Sequence, residues 1–120
     1  MHADQFEIRL AKLRHRFATS LESKIKDTIV SASRMSRSND GVATHISESY
    51  RRLHGISGIG PTVGFAATGE AARIAEVTLT SAYRESRGLT DDEVLSLKKA
   101  LEHLRVAAAS ELRLMYQRGG

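Results

Sequence analysis

The chain has no cysteine, no tryptophan and a single proline among its 120 residues. Without cysteine, a disulfide framework and a thiolate-bound metal are both excluded, and the composition suits a reducing cytosol. Aromatic residues make up only 5% of the chain, too few for a surface that stacks nucleic-acid bases. One proline leaves long stretches without a helix breaker. No apolar run approaches the roughly 20 residues that span a bilayer. The opening Met1-His2-Ala3-Asp4-Gln5 lacks the basic and apolar regions of a secretion signal. These absences lead to the expectation of a soluble, cytoplasmic protein with no membrane association.

What is present points to helices. Apolar residues are 41% of the chain, many of them Ala, Leu and Ile, a mixture that favours helix over strand. A length of 120 residues predicts one domain, 1–120, with a single modest core. The 18 basic and 14 acidic residues leave a net charge of +4. They are interspersed, the pattern of a solvated surface rather than a nucleic-acid footprint. A mild positive charge also favours an acidic protein partner.

Four amphipathic segments follow one another. The first, from near Asp4 to about Ser33, carries Phe6, Leu10, Leu13, Phe17, Leu21, Ile25 and Ile29 at three- and four-residue intervals. Ser36 to Gly41 breaks the period as a loop. The second, from about Gly41 to Ile59, has Val42, Ile46, Ser49, Leu53 and Ile56 on its inner face, and Pro61 ends or kinks it. The third, from about Phe65 to Glu85, puts Ala67, Ala71, Ile74, Thr78 and Ala82 on one side, with Arg87-Gly88 closing it. The last opens on a Thr90–Glu93 capping box with Leu89 and Val94 as a hydrophobic staple. Its stripe is Val94, Leu97, Leu101, Leu104, Ala108, Leu112 and Met115. Short connections between long helices predict an all-α, antiparallel up-down four-helix bundle.

The chemistry concentrates in the run His54-Gly55-Ile56-Ser57-Gly58-Ile59-Gly60-Pro61-Thr62-Val63-Gly64-Phe65. On a helical wheel His54 lies roughly 100° from Leu53, beside the core stripe and not in it. Ser47, Tyr50, Arg51, Ser57, Gly58 and Pro61 fall within about 60° of it. Gly58, one turn on, removes a side chain that would crowd an approaching partner, at a cost of about 1 kcal/mol relative to Ala. An uncovered imidazole of this kind can act as a nucleophile toward phosphorus. Arg51, one turn back, and Arg52 are placed to screen the added phosphate charge. The other histidines, His2, His15, His45 and His103, have no comparable surroundings.

The same residues resemble the signature of histidine-containing phosphotransfer (HPt) domains, His-x-aliphatic-x-Gly with a second glycine at the tenth position after the histidine. His54 matches the phosphoacceptor, Ile56 the aliphatic residue, Gly58 and Gly64 the two glycines, and Phe65 with the Ala-rich run to Ala72 the start of the next helix. The resemblance covers essentially the whole chain. It implies a carrier that exchanges phosphate with the aspartate of a response-regulator receiver domain, or takes it from a hybrid histidine kinase. No cofactor of the carrier's own is implied, with Mg²⁺ expected on the receiver. Where the family often has Lys three residues after the histidine, this chain has Ser57, so Arg51, Ser57 and Gly58 are the candidate phosphate- or partner-facing residues.

Other readings of the run are weaker. A second register, Arg51-Arg52-Leu53-His54-Gly55, puts Arg51 at the acceptor position and Pro61 at the later glycine, and would make a degenerate HPt-like module. The glycines lack the preceding strand or the Gly-Lys-Ser/Thr of nucleotide loops. A Ser57–His54 hydrolase shows neither an orienting acid nor a recognisable oxyanion hole in the sequence, and no two histidines sit three or four apart to bind a metal. The alternative from another class is a basic helical module docking a protein or nucleic acid through Arg34, Arg37, Arg51, Arg52, Arg84 and Arg87.

Overall fold

The computed structural model describes residues 2–36 and 41–118, with 2 and 3 as backbone only. It contains helices α1 (His2–Ala32), α2 (Val42–Ile59), α3 (Ala66–Glu85) and α4 (Asp91–Gln117), with a one-turn 3₁₀ helix, Gly60–Val63, between α2 and α3. Each helix packs on the next, and α4 returns to α1, closing an all-α four-helix bundle. Among the described residues there is no strand, and an isolated bridge joins Ser36 to Leu89. There the Leu89 amide donates to the Met35 carbonyl at 2.7 Å, tying the α3–α4 connection to the end of α1. No described helix is long and apolar enough to cross a membrane. Residues 37–40 of the expected loop lie outside the described residues.

α2 and α4 bury the expected faces. Ile46, Ser49, Leu53 and Ile56 are inside on α2. Leu97, Leu101, Leu104, Ala108, Leu112 and Met115 are inside on α4, with Val94 half-buried. The capping box forms: the Glu93 amide donates to Thr90 Oγ1 at 3.1 Å, and the Thr90 amide to Glu93 Oε1 at 2.8 Å.

α1 differs at both ends of its stripe. Phe17, Leu21 and Ile25 are buried, but Phe6 is 66% and Ile29 38% exposed. Repeated four-residue steps overrun the 3.6-residue turn, so the stripe drifts around the helix. The buried line corrects by stepping from Ile25 to Thr28 and Ala32. The Thr28 hydroxyl is satisfied, donating to the Lys24 carbonyl and accepting from Arg52 Nε. At the other end, Arg14 Nε donates to the Val63 carbonyl at the α2–α3 turn. The helix before it, roughly 18 Å at 1.5 Å per residue, overruns that turn, which leaves Phe6 uncovered.

α3 is rotated by about one residue from the expected face. Thr68, Ala72, Ala75, Leu79 and Ala82 are buried together with Ala71, whereas Ala67 is exposed and Ile74 is 52% exposed. Two contacts set this rotation. Gly69 lies against Pro61 so closely that a Cβ would meet the ring Cδ at 2.7 Å. Glu111 of α4 accepts from the Thr68 amide at 2.7 Å, the Thr68 hydroxyl at 2.6 Å and the Ala67 amide at 3.3 Å. A carboxylate thus caps the start of α3, where free amides and the helix dipole favour negative charge. At the far end Ser86, not Gly88, takes the left-handed position (φ 51°) that stops the helix.

Candidate functional site

His54 stands on the penultimate turn of α2 with its side chain 71% exposed. Its Nδ1 lies 2.8 Å from Oε2 of Glu76, which projects from α3 and is only 14% exposed. With Glu76 ionised it can only accept, so in the neutral ring Nδ1 is the donor to it and the Nε2 lone pair is left free. Ser57 Oγ lies 3.0 Å from the His54 carbonyl and 3.3 Å from Glu76 Oε1, and its one proton serves either acceptor. Tyr50, one turn before His54, holds its ring parallel to the imidazole with centroids 6.2 Å apart. Tyr83 of α3 stacks on Tyr50 at 4.2 Å. Loss of hydration raises the Tyr50 phenol above its ordinary value, and the charge and hydrogen bonding of Glu76 add to this.

The candidate motif residues separate by role. Ile56 is buried in the core. Gly64 sits at φ +90° at the end of the 3₁₀ turn, a conformation that L side chains rarely adopt. Its amide donates to the Gly60 carbonyl, and Phe65 beside it is buried against Phe17, their rings 5.1 Å apart. Gly58 is different: a Cβ there meets nothing within 4 Å. The packing of this chain does not demand a glycine at that exposed position, so the space it leaves is open to another molecule.

Among the arginines, Arg51 is exposed on α2 and forms no ion pair with any described residue. Arg52 turns away, its guanidinium held by Thr28 Oγ1 and Ser49 Oγ at 3.0 Å and Ser31 Oγ at 3.5 Å. Arg87 grips Glu93 at 2.8 and 3.1 Å and Glu85 at 3.3 Å. Two of the six arginines of the alternative basic face are therefore engaged within the bundle, and Arg37 lies outside the described residues. His15 and His103 are exposed and His45 is half-buried, while the side chain of His2 is not described.

Glu76 and Tyr83 are the site residues that the sequence reading does not single out. Glu76 also supplies the orienting acid that the sequence reading finds missing beside Ser57 and His54, but the Ser57 hydroxyl faces the His54 carbonyl and Glu76 and makes no hydrogen bond to the imidazole, so no nucleophile–base pair forms. A signal for Glu76 exists: an antiparallel hairpin folded about Phe65 brings together residues equally far from the turn. Position 76 mirrors position 54, and Glu76 is the acid found there. Comparison with protein-family models, with curated proteins and with solved structures found no match to this chain.

Proposed function

We propose that this chain is a phosphocarrier of the histidine-containing phosphotransfer type. It accepts a phosphoryl group on Nε2 of His54 from a histidine kinase or from the aspartyl phosphate of a receiver domain, and passes it to a receiver aspartate. The observation that carries this reading is an imidazole 71% exposed yet fixed at Nδ1 by a mostly covered carboxylate.

When a receiver is the donor, the Nε2 lone pair forms the N–P bond as the P–O bond to the aspartate breaks, releasing a carboxylate. The Nδ1 proton stays on the ring, so the phosphoimidazole is cationic next to Glu76. The carboxylate stabilises that charge and keeps Nε2 facing outward. Transfer onward is the same step reversed, with the ring as leaving group. Ser57 and the exposed Arg51 are the proposed partners of the phosphoryl oxygens, and Gly58 leaves room for the receiver. The receiver supplies Mg²⁺ on its own carboxylates. Such a carrier would work in the cytoplasm.

The first register of the motif is favoured over the one with Arg51 at the acceptor position, because Gly64 makes the left-handed turn and Pro61 lies within the 3₁₀ helix. Incubation with an active histidine kinase or a phosphorylated receiver is expected to give an acid-labile label. His54→Gln abolishes that label and retains helix content by circular dichroism. Label that survives the substitution overturns the assignment.

A further inference from the structure

The ledge beside His54 is more elaborate than a phosphoryl carrier requires. Tyr50 and Tyr83 lie face to face at 4.2 Å with planes within 2° of each other, bridging α2 and α3 next to the imidazole. Tyr83 remains 38% exposed. Beyond it opens a cleft of about 430 Å³, bordered by Ala43, Ser47, Tyr83 and Arg84. Arg84 is exposed and pairs with no described carboxylate. Arg87 also borders the cleft, but its guanidinium is held by Glu93 and Glu85. Glu76, the acid under the ledge, is engaged by His54 and Ser57. Arg84 is thus a cation at the cleft with no described carboxylate paired to it.

We propose that the Tyr50–Tyr83 ledge and the adjoining Ser47–Arg84 cleft form a specificity pocket, which seats a carboxylate-bearing side chain of the receiver domain docked over His54. The inference rests on the phosphocarrier reading. A receiver that holds Mg²⁺ beside its acceptor aspartate must gather carboxylates there, so its docking face is acidic and complements Arg84. The stacked tyrosines supply a rigid apolar wall for the stem of the inserted side chain, the kind of aromatic anchor that concentrates binding energy at interfaces. An arginine beside them recognises the carboxylate at its tip. Pairing of this kind steers encounter and rejects partners of the wrong charge.

The test starts from protein loaded to equal phosphohistidine content with phosphoramidate, which needs no docking partner. Discharge is then followed to a panel of Mg²⁺-loaded receiver domains that differ in the charge of the surface around the acceptor aspartate. Arg84→Glu is expected to slow discharge to the preferred receiver about tenfold relative to Arg113→Glu, an equal charge change on α4. The gap closes in high salt. Tyr83→Ala slows discharge by a similar factor while thermal unfolding shows it folded, and Tyr83→Phe recovers most of the rate. Equal rates for Arg84→Glu and Arg113→Glu, with Tyr83→Ala matching the unaltered protein, overturn the pocket and leave the carrier standing. Failure of the unaltered protein to load or to discharge to any receiver overturns both.

Discussion

Gly69 of α3 packs against Pro61 at the α2–α3 turn, leaving no room for a side chain: a Cβ there would sit 2.7 Å from Cδ and 2.9 Å from Cγ of the ring. This contact sets the separation of the two helices that carry His54 and Glu76. Gly69→Ala is therefore expected to destabilise the bundle by about 1–3 kcal/mol through overpacking. Gly58→Ala, into open space within a helix, is expected to stabilise it by about 0.5–1 kcal/mol. Urea denaturation of the two variants measures both. A Gly58→Ala variant less stable than the parent would show that its surroundings are more crowded than described.

Glu76 is expected to act on His54 through charge as well as hydrogen bonding. Glu76→Gln retains an acceptor for the Nδ1 proton but removes the negative charge that offsets the cationic phosphoimidazole. Phosphoryl uptake should fall by roughly tenfold, about 1.4 kcal/mol, less than the loss of a whole hydrogen-bonding contact at a reacting centre because the acceptor is kept. In the unaltered protein, ¹⁵N NMR of the imidazole should show the neutral ring protonated at Nδ1. A ring protonated chiefly at Nε2 would contradict the arrangement.

A pH dependence follows from the start of α4. The Arg87 hydrogen bonds first of all, and then those from Thr90, hold the Glu93 carboxyl at about 2 against an ordinary 4.5, while partial burial opposes them. The folded pKa is depressed, so this contribution is fully present above pH 4.5 and lost as pH falls toward 2. Arg87→Leu should lower the urea midpoint at neutral pH, and the difference from the parent should shrink across that acid window. A difference constant from pH 6 to pH 2 would remove the pair from the account of stability.

The legible and illegible parts of this molecule divide on physical grounds. α2 and α4 could be read because their large aliphatic residues fall on a single face, and because Thr90 and Glu93 mark a start by local hydrogen bonding. The inner face of α3 could not, because its buried residues are mainly small. Ile74 outweighs Ala72 and Ala75 in any hydropathy pattern, yet the Gly69–Pro61 contact and the Glu111 cap decide which of them turns inward. Both contacts are non-local. His54 stands out as a candidate in the sequence because Gly58 and Gly64 follow it along one chain segment. Its Glu76 partner lies a whole helix away and becomes visible only when the hairpin about Phe65 is folded. Arg51 and Arg52 show the finer limit: adjacent and chemically alike, they part because one reaches the hydroxyls of Thr28, Ser31 and Ser49 and the other does not.

The most direct test of the central claim is to locate the phosphate atom by atom. Protein ¹⁵N-labelled at histidine is loaded from a phosphorylated receiver and its imidazole nitrogens are read by NMR. The account predicts one phosphohistidine, bonded through Nε2 of His54, lost in acid and absent from His54→Gln. Phosphate on Nδ1, on another histidine, or on none would contradict it.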